Sequence, residues 1–211
     1  MYRYGWGRCA EVSDQDTWLP VVDGLQLPLA HRELLRPGEF MQSRAGELHR
    51  LPRFFYAVES STVAVNTLLT PHFGLWELME VDLYEAAPLR SYPRYVPCAV
   101  SVLAAALEVL RAEVGAPIRV AANGGYRSPA HAGSRSASPH CWATAANVYR
   151  IGADYLDTED KIQRYSVIAT RTLAGCWTRP YGADAGYADD HLHLDLGYVT
   201  VVPRQTSEAS V

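Results

Sequence analysis

Long hydrophobic runs are missing from this chain. No apolar stretch approaches the roughly 18–20 residues that a bilayer-spanning helix needs, so the sequence predicts no membrane span. An excess of positive charge is missing too. Nineteen Lys and Arg stand against 23 Asp and Glu, a net charge of −4, which leaves no electrostatic footprint for nucleic acid or an anionic membrane. The opening stretch, MYRYGWGRCAEVSDQ, lacks the basic-then-apolar pattern of a secretory signal, and the expectation is a cytoplasmic protein, with export by another route as the alternative. Cysteine is scarce: Cys9, Cys98, Cys141 and Cys176 are far apart and form no CxxC pair, which argues against a thiolate zinc cluster. They read as small buried apolar residues, or as two disulfides if the protein is exported. Cys141 follows His140 directly, but adjacency in sequence does not bring a thiol and an imidazole together. Internal repeats and low-complexity linkers are also lacking.

What is present suits one medium-sized domain. Of 211 residues, 48% are hydrophobic and 20% charged, enough apolar material for a real core. Residues 1–70 read as a β-rich extension of short strands and loops, with a hairpin expected in FFYAVESSTVAVNTLL around the polar break Glu59-Ser60-Ser61. A short helix is expected over 70–80, and a long Ala- and Leu-rich one over 96–114, stopped by Gly115 and Pro117. PIRVAANGGYRS reads as a strand entering a Gly-rich loop, and ATAANVYRI as a further strand. A second long helix, 158–174, starts at Thr158 with Glu and Asp in its first turn. A last strand, HLHLDLGYVTVV, precedes a polar tail, 203–211. The pattern predicts an α+β fold, helices flanking a small, mostly antiparallel sheet over residues 71–202.

The chemistry gathers in ADDHLHLDLGY. Side chains two apart on a strand share a face, so His191 and His193 can enter one cleft. Asp190 lies three residues before His193, placed to reach a metal-bound water without ligating the metal. Asp195 is expected to orient a histidine or cap the strand. Partners for the histidines have to come from upstream, in GGYRSPAHAGSRSASPHCWATAANVYRIG.

There the sequence resembles the zinc D,D-carboxypeptidases and their relatives, the endolysin peptidases and vancomycin-resistance dipeptidases, which share the hedgehog-like fold of the LAS group. That pattern is a GYRS-type loop, then SxHxxGxAxD, then a DxxH or HxH ending. Here it is matched by Tyr126-Arg127-Ser128, by Ser138-Pro139-His140, by Ala145-Ala146-Asn147 and by Asp190-His191-Leu192-His193. The resemblance implies a zinc ion held by His140, Asn147 and His193, with Asp190 as the base that activates a zinc-bound water. It implies that Arg127 holds a substrate carboxylate or the developing oxyanion, with Tyr126 and Ser138 lining the substrate site, and that His191 assists beside the metal. The implied substrates are small D-amino-acid or cell-wall-type peptides.

Two positions depart from the pattern. The family's second metal ligand is an aspartate where this chain has Asn147, and its glycine is here Ala143. An amide oxygen is a neutral, poorer zinc ligand than a carboxylate, which implies weaker binding but a metal keeping its full charge, so a more acidic bound water. The alternative is a relative with the fold but no peptidase activity, serving as a ligand-binding module or running a different metal-assisted reaction. His31, His49, His72 and His131 fall outside the pattern and read as structural or surface residues, and Trp142 and Trp177 as packing residues.

Overall fold

Fifteen residues of α5 (Val100–Val114) illustrate how the fold is built. Val100, Leu103, Ala104, Leu107 and Leu110 recur at helical spacing and are all buried, so one stripe of the helix faces the core. Gly115, at φ +63°, ends it by donating its N–H to Arg111 O, the left-handed turn glycine allows. The computed structural model describes residues 19–183 and 189–203.

In chain order the remaining elements are β1 (Val21–Asp23), α1 (Leu29–Leu35), β2 (Phe40–Gln42), β3 (Leu48–Arg50), β4 (Phe54–Val58), α2 (Ser61–Asn66), α3 (Leu75–Met79), α4 (Ala87–Arg90) and β5 (Arg94–Pro97) before α5. After it come β6 (Ile118–Val120), β7 (Ala145–Ile151), β8 (Asp154–Tyr155), α6 (Glu159–Thr172), β9 (Trp177–Thr178) and β10 (Leu192–Asp195). The fold is α+β. Its strands form a sheet β1-β4-β5, a hairpin β2-β3, and a sheet β6-β7-β10-β9 with β8 added on β7; every pairing is antiparallel.

One apolar cluster joins Leu27, Leu35 and Phe55 to Leu103, Leu107, Val148 and Leu192. Residues 19–70 thus share a core with the rest, and β4 pairs with β5. A smaller cluster, Met41, Leu51, Ala137, Cys141 and Trp142, sits under the β2-β3 hairpin. Among the described residues no helix is long and apolar enough to cross a membrane.

Three elements differ from the sequence expectation. The hairpin expected over 54–69 is a strand followed by a helix: Ser60 Oγ accepts from Val63 N–H at 3.2 Å and opens α2, so the polar break is a helix cap. The start of the helix expected at residue 96 belongs instead to β5, where Val96 and Pro97 pair with Tyr56 and Phe55. The final strand is only four residues long, because Asp195 Oδ1 takes Gly197 N–H at 2.9 Å and Gly197 turns at φ +74°. At α6, Thr158 holds the cap position without a side-chain capping bond, so Glu159 and Asp160 favour that end through the helix dipole alone. Cys98 and Cys141 are buried and Cys176 partly so, all three as free thiols; burial pushes Cys98 up to about 12. Cys9 and the tail 204–211 lie outside the described residues.

Candidate active site

Strand register makes the site. His193 on β10 lies directly opposite Asn147 on β7, and residues opposite each other in an antiparallel pair share a face. His193 Nδ1 comes 3.0 Å from Asn147 Oδ1, and its Nε2 comes 3.2 Å from Asp195 Oδ2. Both ring nitrogens therefore face oxygen, yet a neutral imidazole has one N–H to give. The carboxylate is the stronger acceptor, so the proton sits on Nε2 and the Nδ1 lone pair faces the amide. Asp195 does both things expected of it, orienting a histidine and ending the strand. The close approach at Nδ1 is satisfied by turning the amide over, or by a cation between the two atoms.

The second histidine arrives from a different direction. Pro139–Trp142 form a short 3-10 turn closed by Ala143 at φ +57°, which returns the chain into β7. His140 Nδ1 donates to Gly125 O at 2.7 Å, leaving the Nε2 lone pair unprotonated, and its ring lies 5.1 Å from that of His193. Burial, then the charges of Arg127 and His193, hold His140 well below the ordinary histidine value. The β2-β3 hairpin braces this segment from behind: Ala137 N–H donates to Gln42 O at 2.8 Å and Trp142 Nε1 to Arg50 O at 3.0 Å. Trp142 is fully buried there, a packing residue as expected.

Neutral His140 has a consequence for stability. An unfolded histidine takes up a proton as the pH falls through 6.5, whereas the folded one resists it, so the unfolded state binds more protons and stability drops with falling pH. Urea unfolding of chelator-treated protein should lose stability from pH 6.5 towards 5 at up to about 1.4 kcal/mol per pH unit for that proton. The slope should be shallower in His140→Gln. An unchanged slope would deny His140 this role.

Ala143 stands where the motif has glycine, and it adopts the left-handed backbone that glycine favours. The strain of an alanine there, about 1–2 kcal/mol, offsets what its buried methyl contributes. Ala143→Gly is therefore expected to be neutral within about 1 kcal/mol, while Ala104→Gly inside α5 costs about 2 kcal/mol. Urea midpoints of the two variants check the contrast.

The Gly-rich loop supplies the rest. Gly124 O accepts from Asn147 N–H and Ala121 N–H donates to Asn147 O, each at 2.8 Å, so the loop is stitched to β7. Arg127 donates its backbone N–H to His140 O at 3.2 Å and its Nε to Asn123 O at 2.8 Å. Burial lowers the guanidinium from its ordinary value, with the charge of Asp82 opposing that shift. Ser128 is tied to the buried Glu85 by its N–H and its hydroxyl, at 2.9 and 2.7 Å.

The remaining expected residues divide. His191 lies beside the pair, near enough for its charge to depress His140. Its Nδ1 contacts Asp190 Oδ1 at 2.8 Å and its Nε2 contacts the Arg179 guanidinium at 3.0 Å. Asp190 itself is 84% exposed. Ser138 is half-buried and opens the turn carrying His140. Tyr126 points the other way: it is buried in the main core with its hydroxyl unpartnered, away from the histidines that Arg127 meets.

Three residues at the site were not legible. Arg179 follows β9 and donates its N–H to His193 O at 3.1 Å. Trp177, expected to be a packing residue, is half-exposed with its ring 5.7 Å from that of His193. His131, expected to be structural or surface, is buried against Asp82 at 3.1 Å. By contrast, His49 stacks on Tyr198 and His72 pairs with Glu108, as structural histidines do. Among the described residues no three of histidine, cysteine, aspartate and glutamate gather as a metal site; the cluster is two imidazoles and an amide. Comparison with protein-family models, with curated proteins and with solved structures finds no match to this chain.

Proposed function

We propose that this chain is a zinc-dependent peptidase of the D,D-carboxypeptidase type, on that family's hedgehog-like fold, acting on small peptides that contain D-amino acids or derive from cell walls. The observation that carries the reading is His193, a neutral imidazole whose Nε2–H is taken by Asp195 and whose Nδ1 lone pair faces Asn147 Oδ1 across 3.0 Å. Two donors on one tetrahedral zinc, with bonds of about 2.0–2.1 Å, stand roughly 3.3 Å apart, close to that spacing. His140, aligned by Gly125 O, offers Nε2 as the third donor. Ala143, left-handed at the motif's glycine position, supports the same alignment.

His140, Asn147 and His193 would hold the metal, which when bound polarises a peptide carbonyl and acidifies a water. Arg127 binds the substrate's terminal carboxylate by charge-assisted hydrogen bonds. Asp190, oriented by the donated His191 Nδ1–H, accepts a proton at its carboxylate and returns it to the leaving amine. Because Asp190 is exposed, the substrate itself has to cover it.

Protein supplied with zinc is expected to release D-alanine from D-alanyl-D-alanine or its N-acylated peptides, and a chelator is expected to stop the release. Binding without release would assign the chain to ligand recognition. Neither binding nor release would overturn the reading.

A further inference from the structure

Arg127 depends on a cluster that none of the motif positions includes. Its Nε–H is held by the carbonyl of Asn123, 2.8 Å away. Asn123 is at φ +57°, a left-handed conformation that asparagine tolerates better than most residues but that something must hold. Its backbone N–H donates to Glu80 O at 3.1 Å. Its side-chain amide donates to Asp82 Oδ2 at 2.8 Å.

Asp82 is the hub. Besides Asn123 it receives Tyr84 N–H at 2.8 Å, and its Oδ1 lies 3.1 Å from His131 Nε2. The direction of that last bond follows from the other ring nitrogen. Gly133 N–H donates to His131 Nδ1 at 2.9 Å, so Nδ1 is an acceptor and the ring proton sits on Nε2, pointing at Asp82. The ring is fixed further by His131 N–H to Ser128 O at 3.1 Å and Ser134 N–H to His131 O at 2.8 Å. Three donors thus converge on one carboxylate. None of them removes its charge, which acts on Arg127.

We propose that Asp82, His131 and Asn123 are positioning residues that seat Arg127, fixing its guanidinium in one orientation for the carboxylate of a bound peptide. The proposal rests on the peptidase reading for that carboxylate but not for the seat itself. A bidentate guanidinium–carboxylate pair is demanding in angle. An arginine pre-set by its Nε loses less side-chain freedom when the ligand arrives. Asp82 is 45 residues from Arg127 in sequence, and the seat forms only because the 82–84 loop and the 131–134 turn close on Asn123 together, with Ala132 N–H donating to Tyr84 O at 3.1 Å.

The test has one arm that needs no turnover. The Arg127 Nε–H signal, assigned by its loss in Arg127→Lys, should exchange with water on the order of tenfold faster in Asp82→Asn, the loss expected for one charge-assisted hydrogen bond. His131→Gln, which keeps a donor, should exchange more slowly than His131→Ala. In the second arm, Asp82→Asn should raise KM on the order of tenfold for a peptide ending in a free carboxylate, and leave KM unchanged for the amidated peptide. Unchanged exchange in Asp82→Asn overturns the seat. Faster exchange, with no peptide hydrolysed or bound by the wild type, keeps the seat and rejects the peptidase reading. A KM that rises equally for both peptides rejects the carboxylate as what Arg127 holds. Where Asp82→Asn does not fold, the ranking of the two His131 variants decides.

Discussion

The Asn147→Asp variant should bind zinc on the order of 100-fold more tightly than the wild type, a gain of about 2.7 kcal/mol. The gain comes from charge at fixed geometry. Position 147 already sits opposite His193 with its side-chain oxygen 3.0 Å from Nδ1, so the exchange moves no backbone and replaces a neutral donor with an anionic one. Two unit charges at 4 Å interact by about 4 kcal/mol at the effective dielectric of a protein surface, and zinc carries two. Against this stands desolvation of the new carboxylate, and a proton that this carboxylate would draw onto His193 and that zinc must displace. The second effect means the gain should be larger at pH 8 than at pH 6. Competition against a chromophoric chelator measures it, with His193→Ala as the variant expected to lose binding on either background. Equal zinc affinity in the wild type and in Asn147→Asp would show that the metal, if bound, is not at this site, and would remove the basis of the peptidase proposal.

The helices α5 and α6 and the strands β6, β7 and β10 were legible because their information is local: a stripe at helical spacing, an apolar run, a glycine stop. The 54–69 hairpin was misread for a local reason as well. Ser60 suits a turn and a helix cap equally, and which it becomes is decided by Ala64 finding a place in the core. Within the site, His140, Asn147 and His193 could be picked out by spacing, but the direction of each side chain could not. Tyr126 and Arg127 were read as one motif, yet consecutive residues of an extended segment point apart, and the structure sends Tyr126 into the core while Arg127 meets the histidines. Asp82, His131 and Arg179 carried no signal, since their role lies in contacts that link segments up to 49 residues apart. Asp195 was legible because it sits two residues from His193 on the same strand face.

Gly125→Ala should be the most damaging small substitution in the loop. A Cβ built there would lie 2.3 Å from Leu78 O, 2.7 Å from Leu78 C and 2.9 Å from its Cα, all backbone atoms that cannot swing aside. The contact is not incidental. Leu78 O accepts Tyr126 N–H at 2.8 Å, and Gly125 O fixes His140 at 2.7 Å, so easing the clash strains the bonds on either side. Leu78 is itself fully buried in α3, which blocks retreat in the other direction. A loss of about 3 kcal/mol is expected, a fall in Tm of roughly 6–12 °C for a domain of this size, together with loss of whatever His140 binds. Gly74→Ala is the control: its Cβ would meet nothing nearer than Thr67 O at 3.8 Å, and its stability should change by less than about 1 kcal/mol. Thermal unfolding of the two variants side by side separates the close approach of two backbones from the general cost of adding a methyl group. A Gly125→Ala protein that melts within about 2 °C of wild type would mean that the loop does not lie against α3, and that His140 is held by something other than Gly125.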